Sequence, residues 1–395
     1  MRVLMINHFP IAGSGSGTYT RNIAVHLAKR GHDVCVIMPE NTTHFNRIPD
    51  VAMYPVYFTY DEPIKDALPF NFPCFTTHPR STTSFFDLDD RQVDAYLSAF
   101  ERVIEKVVAV FKPDVIHAQH IWLLAWLARN TGIPYVTTAH GTDLMGFQKS
   151  ARFRQYAHEA AAGSARIITI SNDNDELVRQ LFPDCANKTV YMQNGYDPER
   201  FYPEAVTQEQ VLTWFGIRPL KRLVLFTGKL TYFKGVDVLL DATRLYEGEH
   251  PGEIVTLVAG DGELSYQLKK QAEDNILKHV NFLGYLDISQ LRGLYSAADV
   301  SVVPSRREPF GLVAVEALAC GSPVVATNQG GLPDIVNDEV GSLVDVDDAL
   351  GLSAAIQREL YRPDRPERGR TAARYAREKF AQENMIDSLV DIYKR

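Results

Sequence analysis

Short apolar runs along the chain alternate with longer segments in which apolar residues recur every three or four positions. The first run, over 3–7, leads through a small-residue loop, Ala12-Gly13-Ser14-Gly15-Ser16-Gly17, into residues 18–30, where Ile23 and Leu27 stand at helical spacing. Gly31 ends that helix, and Val34-Cys35-Val36-Ile37-Met38 is the next strand. The opening is thus a βαβ unit, and such units assemble parallel sheets. The alternation continues with a helix over 92–111, a strand from Val115, a helix near 122–130, and strands over 132–138, 166–171 and 190–195. A turn-rich stretch from Asn194 to Pro203 reads as a crossing between domains. A second series then begins with a strand over 223–227 and a helix from Val236, followed by strands over 254–259, 280–283 and 299–304. The pattern predicts an α/β protein of two Rossmann-like halves.

Two regions depart from it. Residues 41–90 are rich in Pro, Phe and Tyr and show no clear period. So many aromatic residues argue against disorder, and long irregular segments in compact domains are usually functional loops. A substrate-facing lid and an insertion packed on its own domain both fit. The last segment, from Pro366 onward, alternates charge with apolar helical spacing and is read as returning to the first half.

At 395 residues, 45% hydrophobic and 23% charged, the chain can build two ordinary cores. Acidic residues outnumber basic ones, 49 to 41, and the formal charge of -8 argues against a broad nucleic-acid-binding face. Cys35, Cys74, Cys185 and Cys320 are widely spaced with no C-x-x-C pair, so no disulfide framework is expected. The first apolar run is too short for a signal peptide, and no stretch reaches the roughly 18 apolar residues of a membrane span. The expectation is a cytoplasmic protein, with a lipid-linked substrate and a peripheral position at the membrane left open.

Several patterns carry candidate chemistry. The loop Gly13 to Gly17 lies between a strand and a helix, where backbone N–H groups and the helix N-terminus favour phosphate. In a dinucleotide fold the glycines follow the strand almost at once, whereas here residues 7–12 intervene and Thr18 stands at the third-glycine position; Glu40, ending the second strand, keeps that reading open. Lys229 and Lys234 straddle a glycine-flanked loop at a strand's carboxyl end, which suits a diphosphate leaving group, although lysines in loops are commonly just solvated. His140 ends a strand beside Gly141; a core role and a ligand role both fit it. Asp87-Leu88-Asp89 reads as a solvated turn before a metal site, and His117-Ala118-Gln119-His120 lacks a third ligand. The most informative stretch runs from Ser305 to Gly321. It turns through Pro309 and Gly311 into an apolar helix with a single carboxylate, Glu316, which must be neutralised, hydrogen-bonded or aimed at something polar.

Glu308 and Glu316, with seven residues between them at the join of a strand loop and a helix, resemble the E-x7-E motif of retaining, GT-B fold glycosyltransferases of family GT4. The likeness extends through the glycine loop, Arg30-Gly31-His32-Asp33-Val34, His140-Gly141, Asn194-Gly195-Tyr196-Asp197, Gly228-Lys229-Leu230, Lys234-Gly235, Gly260-Asp261-Gly262 and Gly321-Ser322-Pro323-Val324-Val325, in order. The resemblance implies two Rossmann-like domains facing each other across a cleft: residues 1–195 on the acceptor side, 196–377 binding the nucleotide sugar, and 378–395 packing back on the first.

It also implies roles. Glu316 would accept hydrogen bonds from ribose hydroxyls, and Glu308 would bind the transferred sugar. Phe310, Gly311 and Leu312 would offer backbone N–H groups, joined by the glycines Gly15, Gly17 and Gly228. Lys229 and Lys234 would neutralise the diphosphate as the sugar–phosphate bond breaks, Gly284 and Tyr285 would border the base, and His140 would contact the donor sugar. Lys229 stands where many relatives carry Arg, and Ser14 where many carry the first of two glycines. The implied activity is transfer, with retention, of a hexose or N-acetylhexosamine from a nucleotide sugar, UDP-linked, to an acceptor hydroxyl, with no cofactor and no metal. A dinucleotide-dependent oxidoreductase using NAD and a non-catalytic two-lobed sugar-binding module are the readings of other classes.

Overall fold

A computed structural model describes residues 1–60, 63–76 and 78–394. Asp61, Glu62 and Thr77 of the 41–90 segment and Arg395 of the last one lie outside the described residues. The chain divides into two compact units, Met1–Asn194 with Gln382–Arg395, and Gly195–Ala381.

The first unit is built on a seven-stranded parallel sheet in the order β3-β2-β1-β4-β5-β6-β7. Its strands are β1 (Arg2–Ile6), β2 (Asp33–Glu40), β3 (Ala52–Tyr57), β4 (Val115–Gln119), β5 (Tyr135–Ala139), β6 (Arg166–Thr169) and β7 (Thr189–Tyr191). Val3, Leu4, Met5 and Ile6 are all fully buried, so both faces of β1 are covered, as a parallel sheet requires. Register is regular: Leu4 pairs with Cys35 on one side and Ile116 on the other.

The second unit holds a six-stranded parallel sheet in the order β10-β9-β8-β11-β12-β13. Its strands are β8 (Arg222–Thr227), β9 (Ile254–Ala259), β10 (Val280–Gly284), β11 (Val300–Val303), β12 (Val324–Thr327) and β13 (Gly341–Val344). Each sheet therefore reverses its strand order once, between β1 and β4 in the first unit and between β8 and β11 in the second. Loops leaving the carboxyl ends of two such strands diverge and open a crevice.

Three expectations are corrected. The first helix begins at Gly15, not Thr18, because Ser14 caps it: its Oγ accepts the Gly17 N–H at 3.0 Å. The 41–90 segment contains a strand, β3, hidden in the sequence by Pro55. Proline is tolerated there because β3 is the sheet's edge and one side of it needs no N–H donor. Aromatic residues of the segment fill the core of their own unit: Phe58, Phe72 and Phe85 are fully buried with Tyr96 and Phe100, while Tyr60 is exposed. Packing on its own domain is the arrangement found. The third concerns the last segment, which is two helices, Arg365–Phe380 in the second unit and Gln382–Tyr393 in the first, separated by an extended Ala381. Ile386, Leu389 and Tyr393 of the latter join the core beneath the helix Gly15–Lys29. All four cysteines are buried. Among the described residues no helix is long and apolar enough to cross a membrane.

Candidate active site

In the second unit, the loops after β8 and β11 flank the reversal of strand order, and an ion pair joins them. Lys234 ends a short turn, Tyr232–Lys234, that follows β8, and Glu308 lies in the loop after β11. Lys234 Nζ donates to Glu308 Oε2 at 2.5 Å. Glu308 is only 8% exposed and is fixed on every side. Ser305 Oγ donates to the same carboxylate oxygen at 3.3 Å, the Glu308 N–H donates to Gln329 Oε1 at 3.0 Å, and its carbonyl accepts the Gly331 N–H at 2.9 Å. Two glycines permit this closeness. A Cβ on Gly235 would lie 2.0 Å from the Pro304 carbonyl oxygen, and one on Gly330 would lie 2.1 Å from that of Glu308.

The loops after β8, β9 and β10 meet through bare backbone. Gly260 donates its N–H to the Gly284 carbonyl at 2.8 Å, and a Cβ on Gly260 would stand 1.8 Å from the Gly228 carbonyl oxygen. Lys229, half-buried, follows Gly228, and Tyr285 follows Gly284 with its side chain 87% exposed. On the other flank, Gly311 adopts a left-handed conformation, φ 113°, and starts the helix Leu312–Ala319. Phe310 is buried and edge-on to Phe380, so its ring serves the core. Glu316 projects from that helix half-buried, and among the described residues no hydrogen bond to its carboxylate is found. Burial pushes its carboxyl up to about 8, with the Arg200 charge pulling the other way.

Glu308 and Lys234 are thus joined directly, Lys229 and Gly228 lie in the loop that starts beside them, and Gly284 and Tyr285 are tied to that loop through Gly260. Arg200, Ser305 and Gln329 complete the surroundings and were not anticipated. The pair Gly330-Gly331 after β12 was a legible signal for Gln329, since paired glycines after a parallel strand mark a close backbone approach.

The corresponding reversal in the first unit is lined by neutral polar groups. His140, 8% exposed, has its Nε2 2.8 Å from Gln119 Oε1, and its ring meets Tyr19 edge-on at 5.1 Å and His120 at 4.8 Å. Burial drops its imidazole to about 3, so the ring is neutral at neutral pH. The buried Asp143 carboxylate accepts the Ile121 N–H at 2.8 Å and the His140 N–H at 3.1 Å, stitching the loops after β4 and β5 together. Burial raises Asp143 to about 6 against the pull of these N–H groups. His8 is likewise neutral, its Nδ1 2.7 Å from the Tyr96 hydroxyl while its Nε2 accepts the Leu124 N–H.

The glycine loop presents its members unequally. A Cβ on Gly17 would lie 2.3 Å from the Pro10 carbonyl oxygen, and its N–H is taken by Ser14, so Gly17 serves the turn itself. Nothing lies within 4 Å of a Cβ on Gly15, which leaves Gly15 and Ser16 as the first-turn amides. Glu40, held open as a ribose ligand for a dinucleotide, is buried and bound by Arg80 Nη1 at 2.7 Å. His117 and His120 do not converge: His117 bridges Tyr393 and Thr138 at 2.7 Å each, while His120 lies against His8 and His140. Asp89 caps the helix Asp90–Phe111, accepting the Gln92 N–H at 2.8 Å. Among the described residues no group of three or more His, Cys, Asp or Glu side chains could hold a metal ion.

The family model for Glycosyltransferase Family 4 matches residues 13–200, and that for Glycosyl transferases group 1 matches residues 215–378. Glycogen synthase of Mycobacterium tuberculosis is 32% identical over 392 residues, covering 95% of this chain and 89% of its own. D-inositol 3-phosphate glycosyltransferase of Saccharomonospora viridis is 31% identical over 410 residues, covering 96% and 89%. Among solved structures, sucrose-phosphate synthase of Thermosynechococcus elongatus superposes with a TM-score of 0.79 at 22% identity, covering 100% of this chain and 98% of that one. HepE of Anabaena, in complex with UDP and glucose, superposes at 0.73 and 18%, covering 100% and 99%. With relatives matched nearly end to end and both sheets built as the GT-B fold builds them, this chain belongs to glycosyltransferase family 4.

Proposed function

We propose that the chain transfers a hexose or N-acetylhexosamine from a UDP-sugar to an acceptor hydroxyl with retention at the anomeric carbon. The observation that carries this reading is the Lys234–Glu308 pair at the reversal of the second sheet, with the Glu316 carboxyl, which receives no hydrogen bond among the described residues, on the adjoining helix. A cation and two carboxyl groups, set among close-packed backbone, match the parts of a nucleotide sugar: diphosphate, sugar hydroxyls and ribose hydroxyls. Lys234, with Lys229, neutralises the diphosphate as negative charge grows on it, an effect larger in the transition state than in the ground state. Glu308 orients the sugar hydroxyls while paired with Lys234. The N–H groups of Gly311 and Leu312, opening a helix, face phosphate or sugar oxygens. Glu316 accepts from the ribose, and an aromatic ring as exposed as Tyr285 suits stacking on the base. His140 and Gly15 of the first unit offer a neutral imidazole and an exposed backbone N–H, which suit sugar hydroxyl and phosphate oxygens.

With two lysines supplying positive charge, this reading asks for no metal and no organic cofactor. UDP as the nucleotide is supported by the UDP held by HepE, whereas starch synthase IV of Arabidopsis thaliana, of similar fold, was solved with ADP. The leaving diphosphate accepts the acceptor's proton while the new bond forms on the face the leaving group vacates. The test is a screen of nucleotide sugars for release of free nucleotide, with melting temperature measured in UDP, ADP and NAD. UDP should raise the melting temperature by mass action and NAD should leave it unchanged. A shift with NAD alone overturns the reading, and a shift with ADP alone reassigns the donor.

A further inference from the structure

We propose that His78 is a positioning residue for the glycine loop, and that the 41–90 segment acts through it as a clamp setting the direction of the Gly13 N–H. The functional consequence rests on the reading that this loop meets a substrate oxyanion; the clamp itself does not.

The turn carrying His78 is rigid. His78 and Ser81 exchange two backbone hydrogen bonds of 3.0 Å, leaving Pro79 and Arg80 at the tip. Arg80 Nη1 donates to Glu40 Oε2 at 2.7 Å and to Asn41 Oδ1 at 3.1 Å. The Arg80 carbonyl accepts from Asn41 Nδ2 at 2.9 Å and from Asn71 Nδ2 at 2.7 Å. The tip is thereby tied by backbone and side chain to the end of β2. This also explains why a carboxylate is buried at Glu40: it anchors the turn.

The imidazole is fixed at both nitrogens. The Arg80 N–H donates to His78 Nδ1 at 3.1 Å, so in the neutral ring the proton resides on Nε2, which donates to the Ala12 carbonyl at 3.1 Å. Phe9 lies parallel to the ring at 6.4 Å and Phe72 edge-on at 5.0 Å, which holds its plane. Because a peptide unit is planar and trans, holding the Ala12 C=O toward His78 turns the Gly13 N–H to the opposite side, in a loop that is exposed. Gly13 adopts φ 92°, and a Cβ there would lie 2.8 Å from His78 Nε2. The ring thus fills the space that a side chain at position 13 would need.

Two substitutions separate the two hydrogen bonds. His78→Gln keeps a donor near the Nε2 position, and His78→Asn keeps an acceptor near Nδ1 and loses the donor. Amide hydrogen exchange over residues 10–20 of the full chain, without ligand, should rise about tenfold in His78→Asn and remain near wild type in His78→Gln. For nucleotide release, kcat should fall at least about tenfold in His78→Asn with little change in KM, and be retained in His78→Gln. Gly13→Ala should impair the wild-type background more than the His78→Ala background, where the blocking ring is gone. Equal exchange in the Gln and Asn variants, or additive effects of Gly13→Ala and His78→Ala, overturns the clamp. Separated exchange with unchanged kcat keeps the clamp and overturns its tie to catalysis. UDP-induced stabilisation, carried mainly by the second unit's lysines and Glu316, should persist in every variant; its absence in wild type counts against the donor assignment alone.

Discussion

The two units solve one topological problem with opposite chemistry. Each parallel sheet reverses its strand order once, and each gathers its candidate residues at the carboxyl ends of strands at or next to that reversal. In the first unit these are neutral and buried: His8, His120, His140 and Gln119, with Asp143 held by backbone N–H groups. In the second they include the charged groups Lys229, Lys234 and Glu308, beside the Glu316 carboxyl, which burial raises to about 8. The fold decides where a ligand can bind, and side-chain charge decides what kind. A doubly charged diphosphate suits the second set; an uncharged, hydroxyl-rich molecule suits the first.

The sharpest way to break this contrast is to remove the cation from the charged set. Lys234→Met keeps the stem and deletes the charge, so turnover should fall by about 10²–10³-fold, read from nucleotide release under donor saturation. Near-wild-type turnover in a folded variant would remove Lys234 from the chemistry. Glu308 would then also be left as an almost buried carboxylate without its ion-pair partner, and some loss of melting temperature should accompany the substitution.

Next in size is Glu316→Gln, expected to weaken UDP binding roughly tenfold, the range for losing a hydrogen bond from the ligand to a buried group, measured by calorimetry. The same variant sharpens the comparison through pH. Glu316 is raised from 4.5 to about 8, and Glu247 in the same unit to about 7, so the folded second unit holds protons that its unfolded chain releases. Its stability should therefore be greatest below about 4.5 and decline as pH rises toward 8. The first unit should respond in the opposite sense. His8, His117 and His140 are lowered from 6.5 to about 3 by burial, so its stability is present above 6.5 and is lost as pH falls. Asp143, raised to about 6, offsets part of that trend. Hydrogen exchange followed unit by unit between pH 4.5 and 8 should show opposed slopes, with Glu316→Gln flattening the one in the second unit. Parallel slopes would mean that the buried groups do not govern either.

The smallest expected effect divides two glycines. Gly17→Ala should cost about 1–3 kcal/mol of stability, because the new Cβ runs into the Pro10 carbonyl. Gly15→Ala should change stability by less than about 0.5 kcal/mol and act only on ligand binding, since its Cβ meets open space. Equal destabilisation by both would mean that the loop does not hold the shape described.

Much of this was legible because it is local. Apolar runs and helical spacing marked most strands and helices of both units, and Glu316 announced itself as one carboxylate on an apolar helix. The misses share a cause. β3 was masked by Pro55, whose meaning depends on whether the strand is at an edge. The roles of Gln329 and Arg200 arise from residues brought together across longer stretches of chain, whereas Ser305 bonds Glu308 three residues on. Gly17 looked like a phosphate ligand because a glycine in sequence does not say whether it admits a ligand or merely lets two stretches of backbone pass.

The order of residues by itself determined the α/β class and the two halves, since these follow from periodicity and composition within short windows. Only the tertiary structure decided that Lys234 and Glu308 form a pair, that Glu40 and Arg80 brace a turn on which His78 holds the glycine loop, and that the aromatic segment is core. Those facts depend on distances between residues far apart in the chain, and such distances are set by the packing of whole sheets.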